Sequence, residues 1–328
     1  MKPFLSHHDG GGRKPVYRKR AAIQSGLTLV ELMISIVLGM LIVAAAITLM
    51  LSSKSSYVGE DDSARLLDTG RYAIESMTRT VRQAGFEDLA SVGVPIVALP
   101  TSMPSIVGFD ASTYAGAGMG GPPAVSAMTG KWSDILQVRF FGSADGATID
   151  CAGASVGAAT TSAAIDSERG WSIFFVKQSG NGDTELHCGT LDATGVFQSI
   201  AIAGGVESFQ ILYGVDEGTD ATPGQFYTAD QISALDAASA ALPGSAASRW
   251  KKVVAVKLSL LLRGQQRTEF EDQTIPLFDS EYANAGDRGS VVNVRSLPAD
   301  EWRRVRKLFT TVIQMRNSAR GGNIAPIL

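Results

Sequence analysis

Residues Leu27 to Leu51 read LTLVELMISIVLGMLIVAAAITLML, 25 residues with one charge, Glu31, and none from Leu32 onward. At about 1.5 Å per residue a helix of this length matches the roughly 30 Å hydrocarbon core of a bilayer, so the stretch predicts one membrane pass. Its flanks give the direction. Lys2, Arg13, Lys14, Arg18, Lys19 and Arg20 precede it against a single acid, Asp9, and that excess of positive charge keeps the N-terminal side in the cytoplasm and carries the chain beyond Leu51 across. A cleaved secretory signal would have a shorter apolar core and a small-x-small site. Ala44 to Ala46 imitates such a site, but the apolar run continues to Leu51.

Outside this segment the composition is that of a globular protein. The 328 residues are 45% hydrophobic and 19% charged, with 35 Gly and 12 Pro, which excludes a disordered or fibrous chain. The formal net charge is −3. Beyond the basic head the balance is acidic, 23 Lys and Arg against 31 Asp and Glu, and no nucleic-acid-binding body is expected.

The helix does not stop at the membrane. Residues 52–84 contain no proline, and Leu67, Ile74, Met77, Val81 and Ala84 recur at steps of seven, three, four and three, one apolar stripe. Asp61 with Arg65 and Glu75 with Arg79 are acid-first i,i+4 pairs on the remaining surface. Gly85 is a natural C-terminal stop. Gly39, Gly59 and Gly70 are soft points of the rod. The spacing predicts a helix over 27–84, apolar all round in its first half and amphipathic in its second.

Residues 85–328 read as β-rich. Stretches 135–141, 171–177, 184–188, 196–202, 206–215, 252–263 and 308–316 are rich in β-branched and aromatic residues and end at glycine or polar turns. QSGNGD between Lys177 and Thr184 marks a hairpin. The Gly/Ala/Ser stretches 111–123, 152–164 and 216–248 read as loops, the last with a short helix over 230–240. In KVVAVKLSLLLR, Val254, Val256, Leu258 and Leu260 form the core-facing set. The fold class expected is α+β, with the amphipathic half of the helix packed on an antiparallel sheet.

Cys151 and Cys188 are the two cysteines of the chain. In an exported body they favour a disulfide across 36 intervening residues, stabilising by about 3 to 4 kcal/mol. The alternative is a metal pair with His187. Zinc wants about four ligands at short repeated spacing, however, and the other histidines are His7 and His8 of the basic head. Enzyme chemistry finds little footing. A Ser-His-Asp site would have to recruit His187 from the strand-like TELHCGT, with no G-x-S-x-G elbow. YAGAGMGGPP lacks the Lys-Ser/Thr of a P-loop. Asp216, Glu217 and Asp220 lack the spacing of an EF-hand. No cofactor is expected. Arg303, Arg304, Arg306 and Lys307 read as a solvated basic edge.

Ser25-Gly26-Leu27-Thr28-Leu29-Val30-Glu31-Leu32 resembles the type IV prepilin signature. The resemblance implies that a membrane-embedded prepilin peptidase cuts after Gly26 and N-methylates Leu27, leaving Glu31 as the fifth residue of the mature chain. It also implies that the Glu31 carboxylate attracts the N-terminal ammonium of an adjacent subunit. A carboxylate in hydrocarbon is costly without a partner; the plainer reading is a glutamate that snorkels to the headgroups.

Further blocks resemble PilW-type minor pilins: GRYAIE from Gly70, RQAGF from Arg82, VESFQILYGVD from Val206, VVAVKLSLLLR from Val253 and RKLFTTVIQMRN from Arg306. Cys151 and Cys188 sit where that family often carries its disulfide. What the resemblance implies is a pilin-like fold in three parts: a cytoplasmic leader, 1–26, that is cleaved; a helix over 27–84 with its transmembrane part at 27–51; and a head over 85–328. The protein is then a non-enzymatic minor pilin, a single-pass inner-membrane protein with a periplasmic body, later on the pilus or cell surface. Its partners are other minor pilins, the major pilin, the prepilin peptidase/N-methyltransferase and the inner-membrane assembly platform. No nucleic acid is directly expected as a partner. A minor pseudopilin of type II secretion, or a single-pass anchored binding protein, are the alternative readings.

Overall fold

The long helix forms as one element: α1 runs Leu29–Gln83, 55 residues, and Gly85 follows it with φ +66°. The computed structural model describes residues 26–86, 103–114, 132–158, 170–191, 196–218, 220–241, 247–267, 272–279, 282 and 286–317. The expected leader lies outside these residues except for Gly26, as do much of the Gly/Ala/Ser stretch 111–123 and residues 159–164 of the second. The chain divides into two units at Lys54.

In the first unit every described residue is exposed, and the segment is long and apolar enough to cross a membrane. In the second, α1 buries one face: Asp62, Leu66, Gly70, Ala73, Ser76, Met77, Thr80 and Val81. The stripe expected from sequence is therefore displaced at its start. Leu67 stays 38% exposed while Leu66 is buried, because Gly70 lets the Phe309 ring reach the helix so closely that a methyl there would overlap it. Arg65 pairs with Asp61 at 3.0 Å in solvent, and no ion pair joins Glu75 to Arg79.

Two antiparallel sheets receive this face. β1 (Ile106–Phe109), β2 (Ile135–Phe140), β3 (Gly170–Gln178), β4 (Thr184–Leu191) and β5 (Phe197–Gly204) form the first, in sequence order. The second runs β11-β8-β6-β7, with β6 Val206–Val215, β7 Gln225–Tyr227, β8 Val253–Arg267 and β11 Arg304–Gln314. A short helix, α2 (Ala229–Ala238), follows β7 behind a Thr228/Gln231 capping box. β9 (Thr274–Pro276) and β10 (Val291–Asn293) make a separate pair.

Period-two alternation sorts the side chains of the first sheet. Leu136, Val138, Phe140, Phe174 and Val176 join Ala73, Met77 and Val81 of α1 in one core, while Ile135, Ile173 and Phe175 face away with Tyr114. Of the expected set in β8, Val256, Leu258 and Leu260 face the main core, but Val254 does not, and Val253 joins that core instead. The opposite face is buried too, since Leu261 packs with Leu277, Val292 and Leu297 around the β9–β10 pair. The chain passes between the sheets through one residue, Gly205, at φ +73°, where a side chain would strike the Arg263 carbonyl.

Candidate functional site

The entry to α1 carries the residues singled out for processing and assembly. Gly26 is exposed with nothing crowding it, and Leu27 is 73% exposed. Thr28 caps the helix: its hydroxyl accepts the Glu31 N–H at 3.2 Å, while its own N–H donates to the Glu31 carboxylate at 3.5 Å. This is a capping box, one more donor satisfied at a helix end than the snorkelling reading foresaw. The Thr-x-x-Glu spacing was visible in the sequence. Ser35 adds a hydroxyl donating to the Glu31 carbonyl at 2.7 Å.

Cys151 and Cys188 are joined, with Cα atoms 6.0 Å apart, so neither thiol is available to a metal. The bond ties the 149–155 turn to β4. Asp150 organises that turn by accepting the N–H groups of Ala152 and Ala154, both at 2.9 Å, and the Cys151 N–H donates to Ser172 of β3 at 3.0 Å. His187 sits on the other side of β4, with Nε2 3.3 Å from the Glu185 carboxylate. Burial pushes its pKa down against the pull of Glu185. Among the described residues no group of three or more His, Cys, Asp or Glu is placed to hold a metal ion. In the 216–220 loop the Asp216 carboxylate accepts the N–H groups of Gly218 at 2.7 Å and Ala221 at 3.0 Å.

The blocks that carried the resemblance meet one another in space. Gly70 of the first lies under Phe309 of the last. Asn317 donates to the carbonyls of Arg82 and Ala84 at 3.4 and 3.2 Å, closing the C-terminal turn of α1. Glu207 of β6 is gripped by Arg306 of β11 through two bonds, 2.7 and 2.9 Å. Arg263 of β8 lies 3.6 Å from Glu207, 3.7 Å from Glu301 and 3.0 Å from Asp183. Glu207 is 1% exposed and Arg263 3%. Arg306 thus leaves the solvated basic edge expected from sequence, because the buried Glu207 carboxylate, on β6 across the intervening β8, demands a bidentate partner. Asp62 plays a similar part on the helix, accepting the N–H groups of Gln265 and Gln266 at 3.1 and 3.2 Å. Glu207, Arg263 and Asp62 escaped the sequence reading, since a charge inside a strand or helix says nothing of its partner across 40 to 200 residues.

No curated protein sequence matches the chain. Among solved structures, the type IV-like pilin TTHA1219 from Thermus thermophilus is similar at 16% identity, covering 78% of this chain and 98% of that one, with a TM-score of 0.35. The family model described as PilW, Type IV Pilus-assembly protein W, matches residues 173–317, from β3 to just past β11. Residues 173–317 of the head are thus similar to the PilW family of type IV pilus-assembly proteins.

Proposed function

We propose that this PilW-type chain works as a minor pilin whose task is assembly rather than turnover. The leader 1–26 is removed after Gly26, Leu27 is N-methylated, residues 27–51 hold the subunit in the inner membrane with its N-terminus cytoplasmic, and the 85–328 head lies in the periplasm. It then joins other minor pilins in a complex that primes polymerisation of the major pilin on the inner-membrane platform, in support of twitching, adhesion or DNA uptake.

The observation that carries this reading is the pairing of a PilW-matching head with an apolar α1 that buries none of its residues before Lys54. Such a surface requires cover from lipid or from like helices. Glu31 suits the assembly step. Its carboxylate holds one backbone N–H at 3.5 Å, the outer limit of a hydrogen bond, and a neighbour's ammonium replaces that weak bond with a charge-assisted one.

Mass spectrometry of the N-terminal peptide, from membranes and from sheared surface filaments of the native cell, tests the proposal. A peptide beginning at N-methylated Leu27 in the filaments is the expected result. An uncleaved chain confined to membranes overturns it in favour of an anchored binding protein, and a processed chain found in secretion pseudopili moves it to type II secretion.

A further inference from the structure

The strands at the borders of the two sheets are not alike. β1 and β7 are four and three residues long, and β5 slips in register opposite Leu186 and His187; short strands and irregular pairing are the usual guards against a stray strand. β11 has neither guard. It runs for 11 residues at the border of the second sheet, and its register with β8 is unbroken from Arg306 to Gln314. From Leu308 to Gln314 it reads LFTTVIQ, with no charge and no proline.

The ladder fixes which backbone groups this border offers. The Met315 N–H donates to the Val254 carbonyl at 2.8 Å, and in an antiparallel ladder hydrogen-bonded pairs alternate with non-bonded ones. Ile313, Thr311 and Phe309 therefore bond to β8, opposite Val256, Leu258 and Leu260. The N–H and C=O groups of Leu308, Thr310, Val312 and Gln314 point away from the sheet, and among the described residues no other backbone group bonds to them. These four residues are exposed as well, Leu308 by 40% and Val312 by 56%. The alternate ones turn inward, Phe309 to Gly70 of α1 and Ile313 into the main core.

Cations stand at both ends of this uncharged run. Ion pairs nearby use Arg263 and Arg306; the exposed Arg303 and Arg316 and the half-buried Lys307 take part in none among the described residues. A second copy of the chain fits the border poorly. Antiparallel self-pairing about Thr310 sets Arg304 against Arg316 at both ends, and like charges directly opposite each other destabilise a strand pair. We propose that the free border of β11 is a docking edge for an extended segment of a partner protein, apolar or hydroxylated along its middle and acidic at its flanks, which joins the second sheet as one more strand. Backbone bonds to Leu308, Thr310 and Val312 supply the grip, and the Leu308 and Val312 side chains supply apolar contact across the new pair. The acids meet Arg303 and Lys307 at one end and Arg316 at the other, which fixes the register. The edge makes this demand whether or not the chain enters a pilus.

The test uses the full chain in detergent micelles, a synthetic peptide of alternating valine and threonine with glutamates at each end, and a counterpart with lysines in their place. Binding is read by fluorescence polarisation and by backbone hydrogen exchange. The acidic peptide is expected to bind about tenfold more tightly than the basic one. It should also slow exchange at the Leu308, Thr310 and Val312 amides while leaving those of Phe309 and Thr311, already in the ladder, unchanged. Val312→Pro removes an outward N–H and no bond to β8, and should weaken binding about fivefold. Arg303→Glu combined with Arg316→Glu, both at exposed positions, leaves the strand intact and should reverse the preference between the peptides. Equal binding of the two peptides, binding without slowed exchange at those three amides, or no binding of either peptide overturns the docking edge. Slow exchange at the same amides in the chain alone, together with a dimeric protein mass, gives the edge to a second copy and also overturns it.

Discussion

From Leu29 to Lys54, α1 exposes every residue, Leu, Ile and Val included, whereas from Asp62 to Val81 the same helix buries one face against β-strands. The two stretches differ in what they ask of their surroundings. The second finds its cover inside the chain, through Leu66, Ala73, Met77 and Val81, and positions itself with a polar clamp at Asp62. For the first, cover must come from outside the chain, and its two charges, Glu31 and Lys54, stand near its two ends. The two halves of one helix thus suit different surroundings, an apolar one for the first and the β-strands of the head for the second.

Breaking the head side of that contrast should cost most. Glu207→Ala leaves Arg306 and Arg263 buried without their shared carboxylate, and a loss of about 3 to 5 kcal/mol is expected from denaturant unfolding of the full chain in micelles. A loss below about 1 kcal/mol would mean that the network does not hold β6, β8 and β11 together.

A pair of glycine substitutions compares the halves directly. Gly70→Leu drives a side chain into the Phe309 ring and is expected to cost about 1 to 3 kcal/mol, with partial recovery when Phe309→Ala is added. Gly39→Leu, with open space around it, should move head unfolding by less than about 0.5 kcal/mol. Equal effects would erase the distinction between the halves.

The smallest effect on the fold should come from Glu31→Ala, which removes a cap bond of 3.5 Å and leaves head unfolding unchanged. Cleavage after Gly26 should persist while co-purification with other pilins falls. Unchanged co-purification removes Glu31 from assembly.

Much of this was legible along the chain. Strands β2, β3, β4, β5, β6, β8 and β11 overlap stretches of alternating or β-branched residues, and α1 begins and ends within two residues of its expected bounds. The short strands β1, β7, β9 and β10, three or four residues each, escaped because so few residues carry no period. The helix stripe was misplaced by one position at Leu67, where Gly70, counted as a soft point, turned out to be a seat for an aromatic ring. Arg306 looked like one member of a basic run; which of four cations turns inward depends on Glu207, two strands away in the sheet.

Sequence alone determined the apolar segment, the single acid at its start, the helix that follows and the pair of cysteines, because each is a local matter of hydropathy, charge or count. Tertiary structure decided which face of α1 is buried, that Glu207 meets Arg306, and that Asp62 meets the backbone of Gln265 and Gln266 at the end of β8. Those outcomes depend on desolvation and on partners far apart in the chain, and a buried charge declares its role only when the group that compensates it, or fails to, is brought beside it.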